Sequence, residues 1–552
     1  MEQEFSDNVR EQIQNLEMNK PEKQKSRRTA GLFDAVRDGI VNLVSETLGK
    51  KDNTKTIDKL DQSGLALLHQ AAQYGRTDIA RSLLDNGAEI DVRSKEDNLT
   101  PLHIAARFNS IETVKLLIQR GADPVLVSTN DSTALHFAAR RGNEQVAELL
   151  LRHTKVDVNS TDSAHMTALH LACISGNAAI SKMLLEQGAD KRAKSTELMT
   201  PLHTAVYNGN ADVAALILRT ATEAKHDITD LIGDRDAADN TVLHLAAGTN
   251  DLNTAEVCLY NGADINALNT TNETPLYVAT MAGNLQMIEL LVQKGADVNI
   301  TNADCKSVLH RAAVFNRDDI ISFLLDHGVP IDTRDTQSST PFLEAVAAGQ
   351  TKCARLLLQK GADIKASDIY MKNCIHMAVE NENLETLHML LEETSVLWTL
   401  YRPDIKERVP LHYAAMVKDV RIIDALLDKQ TRFTFHDETQ QTPLHLAAQY
   451  GMSAQVEALA RRVASGLNER DEQGRTPLHD AVMSGRRKVC YIILKLGADS
   501  CSKDNNQWTP LMWASKLGRE KSCQDYWTSK RRWMTSIWTG TPHYTLPVGK
   551  VT

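Results

Sequence analysis

Eighteen histidines and eight cysteines are the side chains of this 552-residue sequence best suited to chemistry, as metal ligands, proton carriers or nucleophiles. Their spacing argues against all three uses. His69, His103, His136, His170, His203, His244, His310, His376, His412, His445 and His479 recur one at a time, at nearly constant intervals. One imidazole per interval supplies no local ligand set, and no H-E-x-x-H is present. Each is expected instead to hydrogen-bond turn backbone and fix the next segment. The cysteines (Cys173, Cys258, Cys305, Cys353, Cys374, Cys490, Cys501 and Cys523) form no C-x-x-C pair and no zinc-finger spacing. They read as small apolar core residues in a reduced compartment, with Cys501 and Cys523 nearest to turns or irregular sequence. A glycine-rich phosphate loop is also missing. No catalytic, cofactor-binding or metal-binding residue is therefore assigned. No cofactor is expected, the chain is taken as non-enzymatic, and the residues that would bind a partner stay unknown.

The elements that carry the histidines follow from their neighbours. Each is the fourth residue of Thr-Pro-Leu-His or a near variant, and Tyr277, Leu343 and Met512 hold the same place in three further copies. Fourteen units result, with successive spacings of 34, 33, 34, 33, 41, 33, 33, 33, 33, 36, 33, 34 and 33. Gly-Ala-Asp or a relative recurs in the same frame, at Gly87, Gly121, Gly188, Gly262, Gly295, Gly361 and Gly497. In the unit beginning at Thr100, the threonine can cap a helix whose first residue, Pro101, needs no N–H. Leu102 and the paired alanines 105 and 106 point inward. Ile111 to Ile118 repeats apolar residues at helical spacing, and Gly121 stops that second helix. This pattern is identified as that of ankyrin repeats, which implies an all-α solenoid of about fourteen helix-turn-helix repeats with β-hairpin-like turns. A pair of helices cannot bury its apolar face alone, so the units must stack. At about 8–10 Å per step the stack becomes a curved, elongated superhelix roughly 105–130 Å long. Its concave face is the expected place for a protein partner.

Composition shifts set the boundaries. Residues 1–30 form a polar tail with a basic cluster at Lys20, Lys23, Lys25, Arg27 and Arg28, either a solvated run or a localisation or anionic-lipid signal. Residues 31–63 contain a degenerate capping repeat and lead-in, residues 64–520 the array, and residues 521–552 an aberrant C-terminal tail. The spacing of 41 puts about eight extra residues near Ala221–Asp239, and a smaller excess falls near Ser395–Pro403. Both are expected as surface loops. In the last unit the second helix should be apolar where Asp525 and Tyr526 stand, and five of the six tryptophans follow residue 507. The chain is thus expected to depart from its ancestral sequence near Cys523, through splicing, a frame change or an error in the gene prediction. A natural cap is the alternative. A net charge of −9 does not call for nucleic acid, and no apolar run reaches the 18 residues of a membrane span. A soluble, cytoplasmic chain without direct membrane insertion is expected.

Finer motifs narrow the family. They are Glu256-Val-Cys258-Leu259-Tyr-Asn261-Gly262-Ala263-Asp264-Ile265, Val308-Leu309-His310-Arg311-Ala312-Ala313-Val314-Phe315, and Leu467-Asn468-Glu469-Arg470-Asp471 leading into Thr476-Pro477-Leu478-His479. Together with the lengthened unit before the first, they resemble the cytoplasmic N-terminal region of transient receptor potential ankyrin-type (TRPA) cation channels, over roughly residues 32–518. The resemblance implies the cytosolic part of a tetrameric, calcium-permeable channel, ending before its membrane domain and unable to conduct ions alone. Full-length channel subunits then become a further partner, and the cytoplasmic face of a membrane a further location. A free-standing cytosolic adaptor is the alternative. The ankyrin pattern also makes Asn159 and Asn299, each preceded by Asp-Val, candidate targets of asparagine hydroxylation.

Overall fold

The computed structural model describes residues 30–48, 57–152, 156–222, 225–430, 434–462 and 464–519. The basic cluster, Cys523 and the 521–552 segment with Asp525 and Tyr526 lie outside them. The chain divides into two compact units, Met1–Asp264 and Ile265–Thr552. Within each, the described residues are helical pairs joined by tight turns, with isolated bridges at Thr161–Thr167 and Ser367–Asn373 in place of strands.

The helix pair forms for local reasons. Thr100 has extended backbone, and its hydroxyl accepts the His103 N–H at 3.4 Å while its own N–H donates to His103 Nδ1 at 3.1 Å. Two of the orphan donors of a helix start are satisfied at once. Pro101 follows at the first helical position. The first helix, Pro101–Arg107, buries Leu102, Ile104, Ala105 and Ala106, and the second, Ile111–Gln119, buries Val114, Leu116 and Leu117. Gly121 then takes φ 91°, a conformation that stops the helix and costs a side-chain-bearing residue strain. The open carbonyl end of the first helix is closed by the following repeat: Asn143 Nδ2 donates to Ala106 O at 2.7 Å, and Asn210 Nδ2 to Cys173 O at 2.7 Å. Before the first full repeat, the helices Ala30–Asp38 and Val41–Leu48 pack on Leu67–Gln73 and Thr77–Asp85, burying Val36 and Val44.

The turns have a polar key outside the Thr-Pro-Leu-His motif. Eight residues before each marker, or nine at Ser94, stands Asp, Asn or Ser. Apart from Ser94 and Ser195, its side-chain oxygen accepts the N–H groups two and four residues on, as Asp162 does from Ala164 and Met166, both at 2.9 Å. Asp437 does the same from Thr439 at 3.0 Å and Gln441 at 2.9 Å. These Asx-type bonds build a finger without a strand. Adjacent fingers are then linked by single backbone bonds, such as Thr129 N to Asp97 O at 3.0 Å and Ala303 N to Thr271 O at 2.9 Å.

Five residues before the marker the finger turns left-handed, and at Leu198 this falls on a residue with φ 56° and a side chain 47 % exposed. A left-handed L-residue costs about 1–2 kcal/mol, least for Asn. Leu198→Asn should therefore raise the urea midpoint, by a stabilisation of about 0.5–1 kcal/mol. An unchanged or lower midpoint would show that Leu198 packing outweighs the strain.

Both insertions differ from the expected loops. The first continues as a longer second helix, Ala211–Thr222, and an additional helix, Lys225–Gly233. Ile228, Leu231 and Ile232, spaced three and four apart, are 1–3 % exposed. Their shared face packs on the core, which explains why the segment is helical. The helix is pinned at its end by Asp234, which accepts from Arg192 Nε at 2.8 Å and Nη2 at 3.0 Å and lies 3.3 Å from Lys194 Nζ. The second insertion is a 3-10 helix, Thr394–Tyr401, burying Val396, Thr399 and Leu400. Trp398 lies between Arg402 at 4.5 Å and Lys365 at 5.6 Å from its ring centre. Both segments are packed structure.

Candidate functional site

The histidines are placed to join repeats. His103 Nδ1 accepts from Thr100, and its Nε2 reaches Ser132 O of the next finger at 3.1 Å. His445 repeats this with Thr442 N at 3.1 Å and Arg475 O at 3.0 Å. The same forward bond is made by His69, His136, His170, His310, His376, His412 and His479. Nδ1 faces an N–H, so it must accept, and the single ring proton sits on Nε2 facing a carbonyl. Protonation would set a second N–H against a donor. Burial disfavours the charged ring further, and His103, His376, His412 and His445 are pushed down to about 4. These are structural imidazoles.

Two positions recur where the fingers meet the first helices, four residues before and one residue after the marker. In the first unit they hold Met166 and Met199, Ile104, Phe137 and Leu171, all buried or half-buried and uncharged. The second unit has charges there. Lys306 Nζ lies 2.9 Å from Glu344 and 3.6 Å from Asp335 of the next repeat. Lys372 pairs with Glu380 at 2.6 Å and sits 5.0 Å from the Tyr413 ring centre. Arg408 donates from Nε and Nη2 to Asp437 Oδ2, both at 3.1 Å. Burial pushes the Asp437 carboxyl up, but the bonds from Thr439, Gln441 and Arg408 outweigh it and hold the group below the usual range. At the end of the described array, Trp508 and Trp513 stand 5.3 Å apart with Lys516 over both rings, at 4.7 and 4.8 Å. These cations are already engaged, and Tyr401, Glu407, Phe435 and His436 line an open cleft of about 680 Å³ beside them in the chain.

Among the described residues no cluster of three or more His, Cys, Asp or Glu could hold a metal ion. Cys173, Cys258, Cys353, Cys374 and Cys490 are buried, and burial pushes Cys258 and Cys374 up to about 12. Cys305 departs from the core role expected of it. It is exposed, at the left-handed turn position with φ 59°, as Cys501 is exposed nearby in its own finger. The marker-relative register alone would have shown this. Asn159 is also occupied: Asp190 N–H donates to its Oδ1 at 2.7 Å, a link between neighbouring repeats that Asn266 and Asn468 repeat. The place that would serve Asn299 is Pro330, which has no N–H.

Stacked helix pairs with projecting fingers define a helical-repeat scaffold that presents one long face per unit. The family model described as Ankyrin repeats (3 copies) matches residues 32–128, 124–195, 202–302, 243–335, 298–368, 375–466, 411–504 and 463–524, and the chain belongs to the ankyrin-repeat family. Ankyrin repeats are protein-interaction scaffolds. The chain is similar to Transient receptor potential cation channel subfamily A member 1 of Homo sapiens, 32% identical over 180 residues, or 32% of this chain and 16% of that protein. Alpha-latrotoxin-Lg1a of Latrodectus geometricus is 33% identical over 144 residues, covering 26% and 10%. Ankyrin repeat protein nuc-2 of Neurospora crassa is 30% identical over 214 residues, covering 32% and 20%. The chain thus spans a fifth or less of the length of these curated relatives. No helix among the described residues is long and apolar enough to cross a membrane.

Proposed function

We propose that this chain is the cytosolic ankyrin region of a TRPA-type, calcium-permeable cation channel, acting in the cytoplasm or on the cytoplasmic face of a membrane. Residues 31–63 cap an array over residues 64–520, between a polar tail and a 521–552 segment of different origin. Protein partners, full-length channel subunits among them, dock on the finger-and-first-helix face. The observation that carries this is the 32% identity to a cation channel of that subfamily over 180 residues. The lengthened repeat and the Leu467-Asn468-Glu469 lead-in support it. Co-expression with a full-length channel of this type should give co-purification and an altered current. Neither appearing would remove the channel reading.

A free-standing adaptor is the second reading, favoured by the comparable identity to Ankyrin repeat protein nuc-2 over a longer stretch. Pull-down from cytosol separates them: a defined soluble partner without any channel subunit would support the adaptor.

A further inference from the structure

Along the second unit, the position four residues before one marker and the position one residue after the next form a recurring couple. Lys306 meets Glu344 and Lys372 meets Tyr413 in this way. Asp480 is the acid of another such couple, but the position that would face it holds Gln441, not lysine. Asp480 is 3 % exposed, and its Oδ2 has no hydrogen-bond partner.

Its surroundings supply little compensation. Arg475 Nε comes within 3.8 Å of Asp480 Oδ1, but the same guanidinium donates to Asp471 Oδ2 at 2.8 Å. Asp471 is itself fully buried at its side chain and repels a second charge. The helix of Asp480, Pro477–Met483, packs on three other helices and a short 3-10 turn. From Pro443–Tyr450 comes His445, held neutral by burial. From Pro510–Lys516 comes Lys516, engaged with the two tryptophans. The outer helix Arg487–Lys495 brings its arginine, its lysines, Tyr491 and the buried Cys490, and the turn Ala464–Asn468 brings no charge. His479, next in the chain, is committed to Thr476 and Trp508. Burial, with Asp471 adding to it and Arg475 opposing it, pushes the Asp480 carboxyl up to about 7.

We propose that Asp480 is a proton-operated latch: its neutral carboxylic acid lets the last described repeats pack, and its ionisation inside an unmatched couple loosens them. Because a buried acid favours the packed form only while it keeps its proton, residues 471–519 would tighten as pH falls below about 7 and be loosest at and above neutrality. The device acts on the fold and does not depend on which partner the chain holds.

Amide exchange of the full chain, read by mass spectrometry from about pH 5 to about pH 8.5 as protection factors corrected for intrinsic rates, tests this. In the unmodified protein, protection over Pro477–Lys516 should fall by up to roughly tenfold per pH unit as pH rises toward about 7 and level off above it, where the packed and opened forms are both ionised. D480N should show no such fall. Q441K should also stay protected, because its ammonium would take the ionised carboxylate as Lys306 takes Glu344. Should D480N not fold, Q441K decides alone. A flat profile in the unmodified protein, or a parallel fall in both variants, overturns the latch.

Discussion

Lowering the pH from about 7.5 to about 5 should cut the melting temperature by more than about 10 °C, well before the carboxylates titrate. The cause is the row of neutral imidazoles. Ten histidines at the marker position, five in each unit, have their protonation disfavoured by burial, four of them to about 4. An unfolded histidine takes its proton near pH 6.5. The folded form is depressed, so the stabilisation is complete above about 6.5 and is lost as pH falls toward about 4. Each of the four contributes up to about 3 kcal/mol over that window. Buried Asp437, held low by the bonds from Thr439, Gln441 and Arg408, and Asp234, held low by Arg192 and Lys194, add a further loss only at the acid end, below the ordinary carboxylate range. Thermal melts at several pH values check the sign and the window. A melting temperature constant across it would mean that the imidazoles are charged, or exposed, in the folded chain.

Leu231→Ala should destabilise the first unit by about 2–5 kcal/mol, as an ordinary large-to-small core change does. Leu231 is 1 % exposed on the extra helix Lys225–Gly233, beside Ile228 and Ile232. On a tolerated surface loop the same change would register within about 0.5 kcal/mol. Denaturant unfolding followed by amide exchange over residues 192–250 distinguishes the two. Loss of protection confined to the insertion, with Arg192 and its finger unaffected, would argue that the Asp234 ion pairs do not couple the insertion to its neighbours.

Much of this architecture was legible because one short pattern repeats. Thr-Pro-Leu-His places a cap, a proline and an imidazole by local rules, so the helix pairs and the forward histidine bond could be anticipated from Thr100 and His103. What escaped was information weaker than the pattern. Ile228, Leu231 and Ile232 do show helical spacing, but one turn of it inside an irregular spacing reads as excess length. The Asx residue of each finger varies between Asp, Asn and Ser, so it does not appear as a motif until the marker is used to align it. Cys305 resembles the core cysteines in composition, and only its place in the turn sets it outside. Asp480 needed more still: its neighbour Gln441 is separated from it by a whole repeat, and no local rule connects them.

The forward reach of these nine imidazoles also bears on how such a chain can be cut or grafted. His445 in one repeat finds its acceptor on Arg475 of the next, past the second helix and the turn. A fragment ended after a helix pair therefore leaves its final ring proton without an acceptor. One ended just beyond the following finger keeps it. The separable module is the helix pair together with its neighbour's turn, and boundaries drawn there should yield fragments with intact ends.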